Sequence, residues 1–156
     1  MKIENLTIGY KRKKEPDTIL LKDINLTINK GQLICLIGPN GCGKSTFLRT
    51  ITGIQSPLEG DIIINNRSIF DLDRSELARS LSIVLTENFN LGSASVYSIV
   101  SMGRYPHNNW LGVLREEDFN IIDSVLEITG LTKFGDKDIL ELSDGFRQKV
   151  MIARAL

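Results

Sequence analysis

The sequence predicts an α/β fold in which short strands and amphipathic helices alternate around a glycine-rich turn. Three observations support this prediction. The N-terminal region alternates apolar and polar residues, a nearly all-apolar run precedes the segment "GPNGCGKST", and helical periodicity dominates the second half of the chain. Strands that alternate with helical patterns are typical of α/β domains.

Composition sets the class of protein. The 156 residues fit one domain, and a hydrophobic content of 42% with 24% charged residues is that of an ordinary globular protein. Nineteen basic residues balance nineteen acidic ones, so we expect no nucleic-acid partner. The N-terminus does not resemble a signal peptide, and no run approaches the roughly 18 apolar residues that span a bilayer. We therefore expect a cytoplasmic chain that reaches a membrane only through a partner.

The first third of the chain reads as strands. "KIENLTIGY" and "TILLKDINLTIN" both alternate, and the charged turn between them predicts an antiparallel pair. "QLICLIG" and, later, "LSIVLT" are almost wholly apolar, which is typical of strands covered on both faces. Cys35 lies in the first of these runs and is expected to be a small core residue. With Cys42 it fits a reducing compartment.

Helices and turns are predicted at defined places. We expect a helix from Lys44 to Thr52 ended by Gly53, a strand "DIIIN", and a short helix 74–80 with a capping box between Asp73 and Glu76. Further helices are expected over 95–102 and 116–129 and at the C-terminus, with a loop at "GRYPHNNWLG". The expected buried faces comprise Phe47, Leu48 and Ile51; Phe119, Ile122, Val125, Leu126 and Thr129; and Val150, Ile152, Ala153 and Leu156.

The segment from Gly38 to Thr46 satisfies the pattern G-x-x-x-x-G-K-[ST]. Its glycines allow the backbone to curl so that successive N–H groups point at phosphate oxygens, and the following helix adds positive charge at its N-terminus. Lys44 would reach the β- and γ-phosphates, and the Ser45 hydroxyl would bind Mg²⁺. The sequence therefore predicts a nucleoside-triphosphate site made of Gly38, Pro39, Asn40, Gly41, Cys42, Gly43, Lys44, Ser45 and Thr46.

Three further segments resemble one branch of P-loop proteins. "LSDGFRQ", from Leu142 to Gln148, resembles the LSGGQ signature of ABC-type ATPases, and "SPLEGDIIINN" resembles that family's P-x-x-G-x-I segment. Tyr10 ends a strand where the family places the aromatic residue that stacks on adenine. The resemblance implies a P-loop NTPase (RecA-like) core with an N-terminal antiparallel β subdomain and P-loop core over 1–87, a helical subdomain over 88–141, and the signature with its helix over 142–156.

The resemblance also assigns roles. It implies that ATP and Mg²⁺ are bound and that Ser143 and Gly145 contact the γ-phosphate of ATP held by an opposite subunit. Asp144 stands where glycine is usual, and it could instead be the N-cap of the last helix. Phe146 replaces a polar residue, and the sequence offers no functional explanation for it. Glu87 occupies the place of a Gln that contacts Mg²⁺, so it is either a metal ligand or a solvated loop residue.

A narrower resemblance concerns the partners. "VYSIVSMGRYPHNNWLG" is similar to the ATP-binding subunits of importers for iron(III)–siderophores, haem and cobalamin. It implies a homodimer of ATPase subunits on the cytoplasmic face of the membrane, bound to transmembrane permease subunits and served indirectly by a substrate-binding protein. Residues 104–112 either dock the membrane partner or form a surface loop in which Tyr105 and Trp110 pack locally.

In the resembled family, the signature helix leads to a strand that ends in Asp-Glu, and a switch histidine follows. The sequence stops at Leu156, before these elements, and His107 does not match the switch position. The interpretation is an N-terminal fragment of an ABC ATPase that lacks the C-terminal part of the core sheet and cannot hydrolyse ATP by itself. The alternatives are a truncated non-catalytic nucleotide-binding or dimerisation module, and a soluble ABC ATPase of DNA repair or translation. The absence of a coiled-coil insertion or basic stripe argues against the soluble ATPase of DNA repair or translation.

Overall fold

The computed structural model describes residues 1–84, 92–108 and 112–156. The chain divides into two compact units, Met1–Leu81 and Ser82–Leu156. Among the helices of these described ranges, none combines the length and apolar character needed to cross a membrane.

An antiparallel sheet forms the centre of the first unit. Its strands are β1 (Lys2–Tyr10), β2 (Thr18–Thr27), β3 (Glu59–Ile64) and β4 (Arg67–Ser68), in the order β2-β1-β3-β4. The predicted antiparallel pairing of the first two strands is confirmed, with Ile3 opposite Leu26 and Tyr10 opposite Thr18. The β3–β4 hairpin turns at two asparagines with positive φ, a residue type that tolerates this conformation.

Two helices accompany this sheet, α1 (Lys44–Ile51) and α2 (Arg74–Ser80). The capping box of α2 is confirmed, because Asp73 accepts the Glu76 N–H and Glu76 accepts the Asp73 N–H. The predicted buried face of α1 is wrong at Leu48, which is 45% exposed, while Thr46 and Thr50 are buried. The core of this unit consists of Ile3, Leu6, Ile8, Phe47, Ile51, Ile62 and Ile69.

The strand predicted at "QLICLIG" is wrong. Residues 32–39 are irregular, and the side chains of Leu33 and Ile37 are 93% and 90% exposed. Cys35, expected in the core, is exposed as well. An all-apolar strand needs a hydrogen-bonded neighbour and a covering layer, and the sheet in the described part of the chain supplies neither to this segment. The described part of "LSIVLT", residues 81–84, is likewise not a strand, and its last two residues lie outside the described ranges.

The second unit is helical. It contains α3 (Val96–Ser101), α4 (Glu116–Ile128) and α5 (Asp144–Ala155), with short 3₁₀ helices at Met102–His107, Thr132–Phe134 and Ile139–Glu141. The first of these lies where a loop was expected. The core of this unit consists of Val96, Ile99, Val100, Ile122, Leu126, Leu131, Ile139, Leu142, Val150 and Ala153.

The buried faces of α4 and α5 are narrower than their periodicity predicts. Phe119 on α4 is exposed, as are Ile152 and Leu156 at the C-terminus. Among the apolar residues predicted for α4, Ile122 and Leu126 are buried, and Val125 is partly buried against the core. Periodicity identifies the side of a helix that faces a core, but the width of the contact depends on the neighbouring helices.

A largely buried ion pair joins the start of α4 to the 3₁₀ helix Met102–His107. The Nε of Arg104 donates to Oδ1 of Asp118 at 2.8 Å, and the Arg115 N–H donates to the other carboxylate oxygen at 2.9 Å. These hydrogen bonds, first that of the Arg115 backbone and then that of Arg104, hold the pKa of Asp118 below its usual range. The segment that contains Tyr105 is therefore anchored to α4, while the Tyr105 ring itself is exposed.

Candidate functional site

The glycine-rich segment ends at the N-terminus of α1. Gly43 is the N-cap residue with φ of 98°, a left-handed conformation that favours glycine. Within the described chain, no side chain makes a capping hydrogen bond to this helix. The first N–H groups of α1 are therefore available to an external acceptor, and the partial positive charge of the helix N-terminus favours an anion there.

The Lys44 side chain folds back onto the start of the glycine-rich segment. Its ammonium donates to the carbonyl oxygens of Gly38 at 2.8 Å and of Pro39 at 2.7 Å, and it lies 3.9 Å from Cys42 Sγ. The loop before α1 therefore folds back far enough for Lys44 to reach the carbonyls of its first two residues. A phosphate oxygen is a stronger acceptor for an ammonium than a neutral carbonyl, so an incoming phosphate would compete well for this group.

The two hydroxyl residues after Lys44 have different environments. Ser45 is exposed, and its hydroxyl forms no hydrogen bond with any described residue. This side chain fits a role as a Mg²⁺ ligand, since a hard cation prefers oxygen ligands and keeps several waters. Thr46 is buried. Glu87, the other predicted metal ligand, lies outside the described residues.

Tyr10 lies beside α1. Its hydroxyl is 3.0 Å from the Oγ1 of Thr46, and either oxygen can be the donor. The residue as a whole is 48% exposed. The structure therefore brings the predicted base-stacking residue to the first turn of α1, although the two residues are far apart in the sequence.

The signature segment forms a second helix N-terminus. Ser143 is the N-cap residue of α5, and its hydroxyl makes no capping hydrogen bond within the described chain. Apart from its chain neighbours and the backbone of its own helix, no described atom lies within 4 Å of the position that a Cβ would take on Gly145. The alternative that Asp144 is the N-cap is wrong: it is the first helical residue, and its carboxylate lies 3.5 Å from Arg147 Nη1. A hydroxyl, open backbone and a helix dipole are what an anion site requires.

Phe146 gains a structural explanation. Its ring packs against that of Phe134 with centroids 4.8 Å apart, and the Lys149 ammonium lies 5.6 Å from its centroid. The Phe146 ring thus packs the first turn of α5 against the 3₁₀ helix Thr132–Phe134.

Two residues of functional interest were missed by the sequence analysis. Arg147 donates to the carbonyl oxygens of Ile139 and Leu140 and so anchors the signature turn. Gln55 donates to the carbonyl oxygen of Gly9 at 2.7 Å, next to Tyr10. For Arg147, its place inside the signature was an available signal. For Gln55 the sequence contains none, because the contact joins residues that are distant along the chain.

Comparison with known proteins decides the family. The family described as ABC transporter matches residues 21–156, which include both helix N-termini. The chain belongs to the ABC transporter family. The expectation from the glycine-rich motif, the signature and the segment after the P-loop helix is thereby confirmed.

Individual members of the ABC family show the same relationship. The chain is 40% identical, over its whole length, to an uncharacterized ABC transporter ATP-binding protein of Methanocaldococcus jannaschii, of which it covers 52%. It is 38% identical over 98% of its length to the iron(3+)-hydroxamate import ATP-binding protein of Bacillus subtilis, of which it covers 55%. Among solved structures, a dimeric bacterial ABC transporter cassette aligns with 99% of the chain and 68% of its own length, at a TM-score of 0.79 and 30% identity.

The chain therefore spans about half the length of the curated ABC relatives that it matches. The predicted fold class is confirmed: an α/β ABC cassette with an antiparallel β sheet and a helical part. Family membership implies nucleotide binding. The roles of individual residues, the metal, the cargo and the partners are proposals, developed below.

Proposed function

We propose that this chain is part of the ATP-binding subunit of an ABC importer that takes up an iron(III)–siderophore, haem or cobalamin type of cargo. The observation that carries the proposal is the geometry of the P-loop: an uncapped helix N-terminus with Lys44 curled into the loop before it. The name of the Bacillus subtilis relative, an iron(3+)-hydroxamate import ATP-binding protein, supports the cargo class.

The phosphates of ATP would bind where the N–H groups of α1 and the Lys44 ammonium converge. Lys44 would exchange its bonds to the carbonyls of Gly38 and Pro39 for bonds to phosphate oxygens. The adenine would stack on the exposed ring of Tyr10, because any base offers a π-face to an aromatic side chain. Bound Mg²⁺ would neutralise part of the phosphate charge, with Ser45 as a protein ligand and Glu87 as a second candidate.

The signature would act on a second copy of the protein. In this proposal Ser143 and the backbone at Gly145 contact the γ-phosphate of ATP held by the partner's P-loop, so ATP holds two subunits together. The free hydroxyl of Ser143 and the open space above Gly145 support this role. Opening and closing of the homodimer on the cytoplasmic face of the membrane would drive transmembrane permease subunits, served indirectly by a substrate-binding protein.

Uptake tests the cargo class. Cells of the source organism that lack the protein should lose ATP-dependent accumulation of one labelled cargo among a ferric hydroxamate siderophore, haem and cobalamin. Reintroduction of the wild-type gene should restore it, and a Lys44→Ala gene should not. Unchanged uptake of all three cargoes in the deleted strain contradicts the importer assignment.

Ser143→Ala tests assembly. We expect ATP-dependent dimerisation of the whole protein to weaken about 10-fold or more, because a hydrogen bond to a charged phosphate is lost. The affinity of the monomer for ATP and the Tm should stay at the wild-type values, because the hydroxyl caps nothing within the described chain. Analytical ultracentrifugation with and without MgATP measures the dimer.

Ser124→Ala is the matched control for that experiment, since Ser124 is an exposed serine on α4 outside the signature. It should dimerise like the wild type. If Ser143→Ala lowers the Tm without changing dimerisation, Ser143 is only a structural residue and the role in trans is wrong.

A further inference from the structure

The end of β1 is hydrogen-bonded to α1 and to the segment that follows α1. Tyr10 is bonded through its side chain to Thr46, in the first turn of α1, with 3.0 Å between the hydroxyl oxygens. Gly9, the preceding residue, accepts a hydrogen bond from the Gln55 amide at 2.7 Å. Thr46 belongs to α1, and Gln55 belongs to the segment that directly follows it.

Gln55 is itself fixed to that helix. Its backbone N–H donates to the carbonyl of Arg49 at 3.1 Å, as does the N–H of Ile54 at 2.9 Å, so the segment folds back on the last turn of α1. The Gln55 amide is thus presented to β1 from a defined position. Thr46 is fixed as well: it is buried, and its carbonyl accepts the Thr50 hydroxyl at 2.8 Å.

We infer that Gln55 and Thr46 are positioning residues that hold the Tyr10 ring at a set distance from the phosphate-binding loop. The inference rests on the proposed function, because it assumes that the ring stacks on the base of the nucleotide bound there. The Gln55 bond fixes the backbone just before Tyr10, and the Thr46 bond fixes the end of its side chain. Together the two bonds restrict the conformations of the Tyr10 ring before a base binds, so little conformational entropy is lost on binding.

The consequence is that the protein should bind a nucleotide, which has a base, more tightly, while its affinity for inorganic triphosphate stays the same. Ordering a side chain on binding costs free energy, and a ring that is already ordered avoids this cost. In the proposed site the triphosphate group contacts α1 and its loop, so the Gln55 bond, which acts through β1, should not change the affinity for inorganic triphosphate. A flat ring stacks on any base, so the two positioning residues favour the presence of a base over inorganic triphosphate and do not select which base.

The variant Gln55→Met tests this inference, because methionine matches the size of glutamine but lacks the donor. We expect its Kd for ATP, measured by calorimetry, to rise about 3- to 10-fold, the loss typical of one hydrogen bond. The Kd for inorganic triphosphate should remain at the wild-type value. Gln32→Met is the matched control: it removes the hydrogen bond that the Gln32 side chain accepts from the Asn29 N–H at 2.7 Å, which involves neither β1 nor Tyr10, and it should change neither constant.

The decisive measurement is the double variant. In a Tyr10→Ala background, where the ring is absent, Gln55→Met should have no further effect on ATP binding. An equal loss in both backgrounds, or an equal loss for ATP and inorganic triphosphate, overturns the inference, since a merely structural role would act on both ligands. Failure of the wild-type protein to bind either ligand would instead contradict the proposed function.

Discussion

Lys44→Ala should lower the rate of ATP hydrolysis by the whole protein about 100- to 1000-fold, the loss that follows removal of one donor aimed at transition-state charge. Phosphoryl transfer depends on positioning and charge stabilisation, and Lys44 is the cation at the centre of the loop. Weaker ATP binding should accompany the loss, because alanine contributes neither the charge nor the donors. Phosphate release under saturating ATP measures the first effect and calorimetry the second.

The matched control is Lys133→Ala, which removes an exposed lysine in the second unit and should leave turnover unchanged. Wild-type turnover in Lys44→Ala would rule out the P-loop as the site. A wild-type protein that binds ATP through Lys44 but does not turn it over would favour the alternative of a non-catalytic nucleotide-binding or dimerisation module.

Much of the fold could be predicted because its signals are local. The capping box of Asp73 and Glu76, the alternation in β1 and β2, and the left-handed Gly53 after α1 each depend on a few neighbouring residues. The same is true of α4, which begins at Glu116 as predicted and ends one residue early. Turns and helix caps depend on interactions within about one helical turn, so all the residues that determine them are close together in the sequence.

Burial could not be predicted with the same success, because it depends on residues that are distant in the sequence. Leu33, Cys35 and Ile37 have the composition of a buried strand and are exposed. Leu48 and Phe119 have the right helical spacing, yet both side chains are exposed. Periodicity gives a direction on a helix or strand, and the packing partner determines how much of that side is covered.

The candidate site divides in the same way. The glycines, Lys44 and Ser45 could be found because a loop that binds phosphate needs them in one continuous segment. The Tyr10–Thr46 and Gln55–Gly9 bonds could not, since each joins residues from separate elements. Phe146 was unexplained in the sequence for the same reason: its partner, Phe134, precedes the signature by a helical turn and a loop.

The glycine of the segment "PLEG" is required by the geometry of the sheet. Gly60 has φ of 84° and lies against β1 where the β1–β3 register shifts between Glu4 and Thr7. A Cβ on Gly60 would lie 2.4 Å from the carbonyl oxygen of Asn5. Both the backbone conformation and the close approach of the two strands therefore require glycine at this position.

Gly60→Ala should accordingly lower the free energy of unfolding by about 2–5 kcal/mol, the sum of roughly 1–2 for a left-handed alanine and about 1–3 for overpacking. Gly31→Ala separates the two causes, because Gly31 has a similar φ of 79° but, apart from its chain neighbours, no described atom within 4 Å of its Cβ position. That control should lose only the conformational part, about 1–2 kcal/mol. Urea denaturation followed by circular dichroism measures both variants. Equal losses would mean that the strands separate at little cost and that the contact with Asn5 does not hold β1 against β3. A larger loss in Gly60→Ala means that the close approach of β3 to β1 at Asn5 cannot be relieved at little cost.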